Sequence, residues 1–558
     1  MAFVPALLHK RTRKNAHSLY PTMLQAIIFI TGGAILALEL LASRILTPYF
    51  GVSLYIWSGI LSITLVSLAA GYWRGGKLAS GRANHAPPPE KLAYMFARMP
   101  AIASIAIVAA CLVYPYLFYR LAQFDLVVGA FIACVVLLFV PLYVTSAMNP
   151  LLVAILLRQS AARGDLADAG AGRVFFVSTI GSVAGVIVTA FGLIPYLSNF
   201  AATLVVAAVL AALPLILLFG SAIKVAQRKR VIVTAAIALV AALGLLAGSG
   251  AYTARMWPAS YNGATWTLDA VYRSSFGTVK ILKSGPRDNE PFTRMYFQDG
   301  LVQNMVSATN RSLSMYTYAL EALSFSYRPQ MKKTLILGIG AGMVPMRLAG
   351  RGIDVTTVDI DSASLRAATE VFGFDPGKVR AHQADARTYL RSCNGGYEVV
   401  IVDLFHGDGV PDYLVTREFF RDLKRCLGTD GIAVFNTFAD LDYPRAYAHF
   451  LTTLKSELPF ITLYRPDYGL AQHVNSFVVA SAAPLPAPAG DDFGHLPARH
   501  LYTVSAMLKN PIPLDQRLLD HGRVITDADN PAAIDFAVSQ MINRRYVVEA
   551  LPAAFFVN

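Results

Sequence analysis

The sequence predicts an α-helical membrane bundle of about seven spans, followed by an α/β Rossmann-like domain that begins with a small β-layer. Apolar stretches long enough to cross a bilayer fill the first 250 residues. After about residue 252, strand patterns alternate with helical patterns, which is typical of a parallel sheet with helices on both faces. Charged residues make up 15% of the chain, whereas about a quarter of the residues in soluble domains are charged.

Seven stretches reach the roughly 20 apolar residues that a helix needs to cross the hydrocarbon core. The apolar segment 141–157 follows the fourth stretch without a loop, and we interpret it as a kinked continuation or an interfacial piece. Gly181 and Gly185 have the small-xxx-small spacing that lets helix backbones approach closely in lipid, so we expect them to serve helix packing. The seven stretches are about 22–42, 54–73, 99–119, 123–143, 174–196, 200–220 and 231–250.

Two ionisable residues, Glu39 and Arg44, lie in or just after the first stretch. A carboxylate in lipid is costly and usually faces a partner or a water-filled cavity. Glu39 therefore either serves a function in the bundle interior or forms a structural ion pair. Arg44 is close to the end of the helix, where its side chain can extend to the interface instead.

The net charge of +13 comes largely from basic residues that cluster between apolar stretches, in the N-terminal tail, 74–98, 158–173 and 224–230. This distribution is typical of loops that face the cytoplasm, so the expected partner is a lipid bilayer and not a nucleic acid. The N-terminus is then cytoplasmic in a bacterial-type inner membrane. Seven spans put residue 251 onward on the outer face, whereas a count that differs by one span puts it in the cytoplasm.

We expect four regions along the chain. Residues 269–283 and 293–306 have strand patterns with a turn signal between them, and a Pro/Ala-rich linker follows the α/β region. The regions are a transmembrane helical domain at 1–250, the β-layer at 251–330, the Rossmann domain at 331–481, and a linker with a C-terminal tail at 482–558.

The four cysteines, Cys111, Cys134, Cys393 and Cys426, are well separated in sequence. The chain has no CxxC pair and no His/Cys spacing that is typical of metal ligands. The sequence therefore predicts neither a disulfide framework nor a zinc site, and no metal is expected.

A glycine-rich turn and a series of acids indicate a nucleoside site in the Rossmann domain. The first strand, 334–337, runs into a turn with three glycines, where a ligand can lie against the backbone. Acids then follow later strands, and the carboxyl ends of parallel strands share one edge of the sheet. Asp359 can accept hydrogen bonds from the ribose hydroxyls, and Asp385 can accept one from the adenine amino group. Asp403 is the central acid of this edge. The alternative is a nucleotide fold that no longer binds a ligand. The residues are Gly338, Gly340, Gly342, Asp359, Asp361, Asp385, Ala386 and Asp403.

With these motifs, residues of about 265–460 resemble the spermidine synthase family, the polyamine aminopropyltransferases, and in particular its members fused to a helical membrane bundle. The resemblance implies a class I S-adenosylmethionine-binding domain, often a homodimer, that uses decarboxylated S-adenosylmethionine and an amine. It places Gln303 at the donor site and Tyr316 at the acceptor site or its loop. Other matching segments are Ser275–Val279, Gln298–Gln303, Pro411–Phe420 and Ile525–Pro531.

Several family positions differ in this chain. The aspartate of the family's glycine-rich loop, which holds the donor's aminopropyl ammonium, corresponds to Ala341, and the second acid of the family's fourth strand corresponds to His406. The differences remove carboxylates that attract a polyamine, and they remove a charge that repels the carboxylate of intact S-adenosylmethionine. The family's Tyr-His-Glu and Tyr-Gln are replaced at Tyr316–Tyr318 and Phe276–Gly277.

Three functions stay open. The first is an aminopropyltransferase-like enzyme that acts on a small amine. The second is an S-adenosylmethionine-dependent methyltransferase with a membrane-associated or exported acceptor, and the third is a transporter with a nucleoside-sensing domain. In an enzyme, we expect Asp403 to be the base or electrostatic partner, the alternative being a purely structural carboxylate. His406 either assists Asp403 or is a solvent-facing loop histidine, and Asp408 lies in a loop over the site or serves only a turn.

Overall fold

A computed structural model describes most of the chain in two compact units. The helical unit comprises Met1–Phe50, Tyr55–Met256 and Phe556–Asn558, and the α/β unit comprises Gly51–Leu54 and Trp257–Phe555. The described residues are 5–52, 54–81, 87–161, 170–218, 225–286, 290–404, 409–439, 444–466, 474–489, 493 and 496–557.

The helical unit contains helices α1 to α10, and the part of it that the structure describes has seven helical stretches long and apolar enough to cross a bilayer. Their number agrees with the sequence prediction. The stretches are Thr22–Phe50, Leu54–Ser80, Pro89–Phe124, Leu126–Arg158, Gly170–Leu193, Asn199–Leu218 and Gln227–Ala247. The helices are α1 Pro5–Phe50, α2 Leu54–Ser80, α3 Pro89–Phe124, α4 Leu126–Cys134, α5 Val140–Ser146, α6 Met148–Ala161, α7 Gly170–Val188, α8 Asn199–Leu218, α9 Val225–Ala247 and α10 Ser249–Ala254.

The apolar segment 141–157 is a continuation of the fourth stretch, as one of the two sequence interpretations has it. A π-helical turn, Val135–Phe139, joins α4 to α5. Pro141 lies near the start of α5, where its missing N–H cannot donate to the preceding π-helical turn, and the helical path is interrupted only at Ala147 before α6 begins. Residues 126–158 therefore form one bent helical stretch.

The glycines of α7 serve helix packing, as their spacing predicts. A Cβ at Gly181 would lie 2.0 Å from the carbonyl oxygen of Phe29, and one at Gly185 would lie 2.2 Å from that of Gly33. The hydroxyl of Ser182 also donates a hydrogen bond to the carbonyl oxygen of Gly32 at 2.9 Å. Only small residues allow α1 and α7 to approach so closely.

The α1 helix also carries the two ionisable residues singled out in the sequence. The side chains of Glu39 and Arg44 are both half-buried. Asn199 of α8 donates a hydrogen bond to the backbone carbonyl of Arg44 at 3.4 Å. The functional role of Glu39 stays a prediction.

The α/β unit opens with a five-stranded antiparallel sheet in the order β1-β2-β3-β4-β5. The two long strand patterns of the sequence are each divided by a turn, so the predicted strands 269–283 and 293–306 are too long. Residues 274–277 form the first turn, and Asp299–Gly300, both with positive φ, form a two-residue hairpin turn. The strands are β1 Ala259–Tyr261, β2 Ala264–Arg273, β3 Thr278–Ser284, β4 Thr293–Gln298 and β5 Leu301–Ser307.

The second sheet is Rossmann-like, with seven strands in the order β11-β12-β10-β9-β6-β7-β8. Five neighbouring strands are parallel, while β12 pairs antiparallel with both β10 and β11. The expectation of a wholly parallel sheet is therefore wrong at this edge, because the nine residues between β11 and β12 are fewer than a parallel crossover connection needs. The strands are β6 Lys333–Leu337, β7 Asp354–Asp359, β8 Arg380–Gln383, β9 Tyr397–Val402, β10 Leu427–Ala439, β11 Phe460–Tyr464 and β12 Val474–Ser481.

Helices cover the second sheet, and apolar residues are buried on both of its faces. Residues 482–558, which the sequence suggests to be a linker and tail, contain three further helices. The helices of the unit are α11 Met315–Tyr327, α12 Met343–Gly350, α13 Ser362–Val371, α14 Ala386–Arg391, α15 Arg417–Cys426, α16 Pro444–Glu457, α17 Ala498–Lys509, α18 Gln516–Asp520 and α19 Ala532–Ala550.

One disulfide, Cys393–Cys426, joins the segment after α14 to the end of α15. The expectation of no disulfide rests on the separation of the two cysteines by 33 positions in the sequence, and it is wrong for this pair. Parallel β-strands bring such distant segments together, and the two Cα atoms lie 5.5 Å apart. Cys111 and Cys134 are free and buried in the helical unit.

Candidate functional site

The glycine-rich turn after β6 lies at the carboxyl edge of the second sheet. Gly338 has a φ of +94°, and a Cβ at this position would lie 2.2 Å from the backbone oxygen of Asp403. Gly340 has a φ of +50°, and a Cβ there would meet no atom within 4 Å. The turn thus packs against the end of β9 at one glycine and leaves open space at another. Gly342 directly precedes α12.

Asp359 ends β7 and turns its carboxylate toward this turn. Its Oδ2 accepts a hydrogen bond from the amide of Ile339 at 2.9 Å, and its Oδ1 accepts one from the amide of Asp361 at 2.8 Å. Burial raises the pKa of Asp359 to about 6, although the two backbone hydrogen bonds oppose the shift. Each oxygen keeps a second lone pair with which it can accept a ribose hydroxyl.

Asp361 is held by its neighbours and is 3% exposed. Its Oδ1 accepts a hydrogen bond from the amide of Ala363 at 2.8 Å, so the side chain caps α13. Gln298 donates a hydrogen bond to its Oδ2 at 3.3 Å. Asp361 therefore has a structural role as the cap of α13, and this role distinguishes it from Asp359.

Asp385 caps α14 and also reaches a tyrosine that the sequence analysis missed. Its Oδ1 accepts hydrogen bonds from the amide and hydroxyl of Thr388. The hydroxyl of Tyr413 donates to its Oδ2 at 2.9 Å, and burial together with this contact raises the pKa of Tyr413 to about 12. Tyr413 follows Pro411 in the family-like segment, so its position in that motif was the available signal.

These residues line a cavity of about 310 Å³, here called the donor cavity. Gly338, Gly340, Asp359, Asp361, Asp385 and Ala386 all take part in its wall, whereas Gly342 does not. Gln303, Tyr316 and Asp403, which the sequence also predicts for the site, line this cavity too. The structure therefore brings together nearly all of the residues that the sequence predicts for nucleoside binding.

Asp403 follows β9, and one asparagine, itself held by a second, donates a hydrogen bond to its carboxylate. Asn436 of β10 donates a hydrogen bond to its Oδ1 at 2.8 Å, and Asn475 of β12 donates to the Oδ1 of Asn436 at 2.8 Å. Burial raises the pKa of Asp403 to about 6, although the hydrogen bond from Asn436 opposes the shift. A carboxylate with this pKa is ionised at neutral pH and can still take up a proton.

A second cavity of about 350 Å³, here called the acceptor cavity, shares Gln303, Tyr316 and Asp403 with the donor cavity. Asn436, Asn475 and residues of α19 also line it. The sequence analysis missed Asn436, which lies within β10 near its carboxyl end. It had no signal for the residues of α19, which are more than 100 positions away from Asp403.

The other residues that the sequence predicts for the site are His406, Asp408 and Ala341. His406 and Asp408 lie outside the described residues. Ala341 is buried, with 2% of its surface exposed, and it borders a small void of about 10 Å³ together with Tyr316 and Asp403. Among the described residues, no group of three or more His, Cys, Asp or Glu side chains could hold a metal ion. The absence of a metal stays a prediction.

Residues 313–478 match the model of the spermine/spermidine synthase domain, so the C-terminal part of the chain carries a domain of this family. A polyamine aminopropyltransferase of Vibrio vulnificus is 32% identical over 136 residues, which cover 23% of this chain and 44% of the relative. A second such protein, from Moorella thermoacetica, is 27% identical over 184 residues, which cover 32% of this chain and 64% of the relative.

An N-terminal histidine N-methyltransferase of Emericella nidulans is 32% identical over 137 residues, or 24% of each chain. The chain thus spans less than two thirds of the length of each of these three relatives. Among solved structures, spermidine synthase of Thermotoga maritima matches with a TM-score of 0.35 and 16% identity, covering 46% of this chain and 87% of the other.

We predict that Asp359→Ala abolishes the binding of S-adenosyl compounds and leaves the fold intact, because the variant loses the carboxylate that faces the glycine turn. Calorimetry measures the affinity, and circular dichroism monitors the fold. Asp354→Ala is the matched control, since Asp354 begins the same strand and is exposed. Unchanged affinity in Asp359→Ala would remove this residue from the nucleoside site.

Proposed function

Because the C-terminal part of the chain carries a spermine/spermidine synthase domain, we propose that the protein is a membrane-bound transferase of the aminopropyltransferase type. It alkylates an amine or another nucleophile with S-adenosylmethionine or its decarboxylated form as co-substrate. The observation that carries this proposal is the position of Asp403. Its carboxylate lines both cavities, so it lies where a donor in one and an acceptor in the other would meet.

The transfer needs a neutral nucleophile and a base. The nitrogen of the amine attacks a carbon next to the sulfonium, the carbon–sulfur bond breaks, and its electron pair remains on sulfur. Aminopropyl transfer releases methylthioadenosine, and methyl transfer releases S-adenosylhomocysteine. Asp403 takes the proton that leaves the nitrogen, and Asn436 fixes the carboxylate by its hydrogen bond to Oδ1.

The donor cavity supplies recognition of the nucleoside. Asp359 accepts hydrogen bonds from the ribose hydroxyls, and Asp385 accepts one from the adenine amino group. The open space at Gly340 lets the donor lie next to the backbone. Tyr413 restrains the carboxylate of Asp385 through its hydrogen bond. Ala341 borders the small void beside Tyr316 and Asp403, and its methyl group brings no carboxylate to that void.

Methyl transfer is the second candidate, and two observations favour it. An aspartate at the position of Ala341 would bind the ammonium group of a decarboxylated donor and repel the carboxylate of the intact one, and this chain lacks it. One of the similar proteins is described as a histidine N-methyltransferase. The acceptor of this reaction would be membrane-associated or exported.

We predict that intact S-adenosylmethionine binds at least as well as its decarboxylated form, because the loop carries alanine at position 341. Competition calorimetry measures the preference, and Ala341→Asp should shift it toward the decarboxylated donor by about tenfold, as expected for one added charge pair. A clear preference of the wild-type protein for the decarboxylated donor would contradict this prediction and favour polyamine synthesis as the function.

Product analysis of the same protein with labelled donor and membrane extract then tests the reaction. Methylthioadenosine indicates aminopropyl transfer, and S-adenosylhomocysteine indicates methyl transfer. Donor binding without either product would contradict both enzymatic functions and favour a transporter with a nucleoside sensor.

Turnover should depend on the ionised form of Asp403. Because the pKa of this folded carboxyl group is raised to about 6, the base is present above that pH and is lost as the pH falls through it. We predict that kcat decreases below about pH 6 and that Asp403→Asn binds donor but loses turnover by roughly 10²-fold or more.

Donor affinity is measured at each pH, since the pKa of Asp359 is also about 6 and its protonation would weaken binding. Asp354→Asn is the control for a lost exposed carboxylate. Wild-type turnover in Asp403→Asn would exclude Asp403 as the base.

We further propose that the α/β unit faces the outer side of a bacterial-type inner membrane. The basic loops favour a cytoplasmic N-terminus, and seven spans then lead to the outer face. The Cys393–Cys426 disulfide is an independent argument, because disulfides persist mainly in oxidising compartments. The donor is made in the cytoplasm, so this arrangement requires its delivery, for which the half-buried Glu39 in the bundle is the candidate.

Reporter fusions after residue 260 test this topology. We expect an alkaline phosphatase fusion to be active and a cytoplasmic fluorescent reporter fusion to be dark. In the same cells, Cys393 and Cys426 should resist thiol alkylation until a reductant is added. A fluorescent fusion together with freely alkylated Cys393 would place the α/β unit in the cytoplasm.

A further inference from the structure

The acceptor cavity has polar walls with little charge. Its described lining contains four carboxamide side chains and one carboxylate, that of Asp403. These counts cover the described residues, which do not include 405–408, 440–443 and 467–473. The carboxamides are those of Gln303, Asn436, Asn475 and Asn543.

The hydrogen bonds among these groups fix which atoms are left for a ligand. Asn436 is 4% exposed, and its amide nitrogen donates to Asp403 while its oxygen accepts from Asn475. The side chains of Asn475, Asn436 and Asp403 thus form a chain of hydrogen bonds that ends on Oδ1 of the carboxylate. Oδ2 of Asp403 has no hydrogen-bond partner among the described residues, so it can receive a proton or an ammonium group.

The C-terminal helix α19 contributes another part of the wall. Asn543, Tyr546 and Val547 line the cavity within little more than one helical turn. Asn543 is half-buried, whereas Tyr546 is 66% exposed. This helix therefore presents a carboxamide, a phenol and an apolar side chain to whatever occupies the acceptor cavity.

We propose that this cavity binds an acceptor with a single amino group and a neutral hydrogen-bonding body, and that α19 contributes to its selection. The proposal rests on the transferase function proposed above. The amino group pairs with Oδ2 of Asp403, and Asn543 and Tyr546 bind uncharged groups of the same molecule. The described walls thus give a diamine or a longer polyamine no advantage in affinity over a monoamine.

This preference follows from the cost of burying an unpaired charge. A second ammonium group would leave water without meeting a second carboxylate in the described walls, and a buried charge without a counter-ion is strongly disfavoured. A hydroxyl or an amide at the same place loses much less hydration, and a carboxamide can restore its hydrogen bond. One carboxylate therefore favours one positive charge.

Two molecules of the same length test this charge count. 4-Aminobutan-1-ol and 1,4-diaminobutane differ only in a terminal hydroxyl against a terminal ammonium group. Calorimetry on the full-length protein, saturated with methylthioadenosine, measures the affinity of each. We expect the amino alcohol to bind at least as tightly as the diamine. A tenfold or greater preference for the diamine, or binding of neither molecule, would overturn the proposal.

Asn543→Asp then adds a carboxylate to the wall and should raise the relative affinity for the diamine by about tenfold. Asn510→Asp adds the same charge at an exposed position of the chain and should leave the ratio unchanged. An unaltered ratio in Asn543→Asp would exclude α19 from acceptor selection.

These results can be distinguished from failure of the transferase function. Diamine preference with turnover would contradict the acceptor proposal alone, whereas binding without turnover for any amine would contradict the transferase function.

Discussion

The close approach of Gly338 to Asp403 is the constraint on which the site depends. The parallel pairing of β6 with β9 brings the ends of the two strands side by side, and a Cβ at Gly338 would lie 2.2 Å from the backbone oxygen of Asp403. The absence of a side chain at 338 allows the glycine turn to pass directly beside Asp403. Two cavities can then share one carboxylate, which is the geometry that group transfer between two ligands requires.

The parts of the site that follow from sequence are those governed by local rules. Gly338, Asp359 and Asp403 each stand at the end of a strand that the sequence pattern predicts, and parallel pairing places these ends at one edge. Asp385 follows the short polar strand β8 at the same edge. Their convergence could therefore be predicted without coordinates. The role of each acid could not be predicted in this way, since Asp361 resembles Asp359 in sequence but caps α13 in the structure.

The parts that sequence did not predict depend on contacts between distant segments. Asn475 reaches Asp403 through Asn436 only because β12 turns back antiparallel to β10, whereas alternation along the chain suggested a parallel sheet. Likewise, nothing near Asn543 indicates that α19 lines a cavity that also includes Asp403. The Cys393–Cys426 pair arises from tertiary proximity of the same kind.

The charges of the site also explain why donor binding and base strength would depend on each other. Asp359 and Asp403 both line the donor cavity, and both have a pKa of about 6 because they are buried; the charge of Asp403 adds to the shift of Asp359. A sulfonium cation in this cavity favours the ionised form of each carboxyl group. By linkage, the ionised carboxylates favour the cation to the same extent. The donor would therefore stabilise Asp403 in the ionised form that can accept a proton.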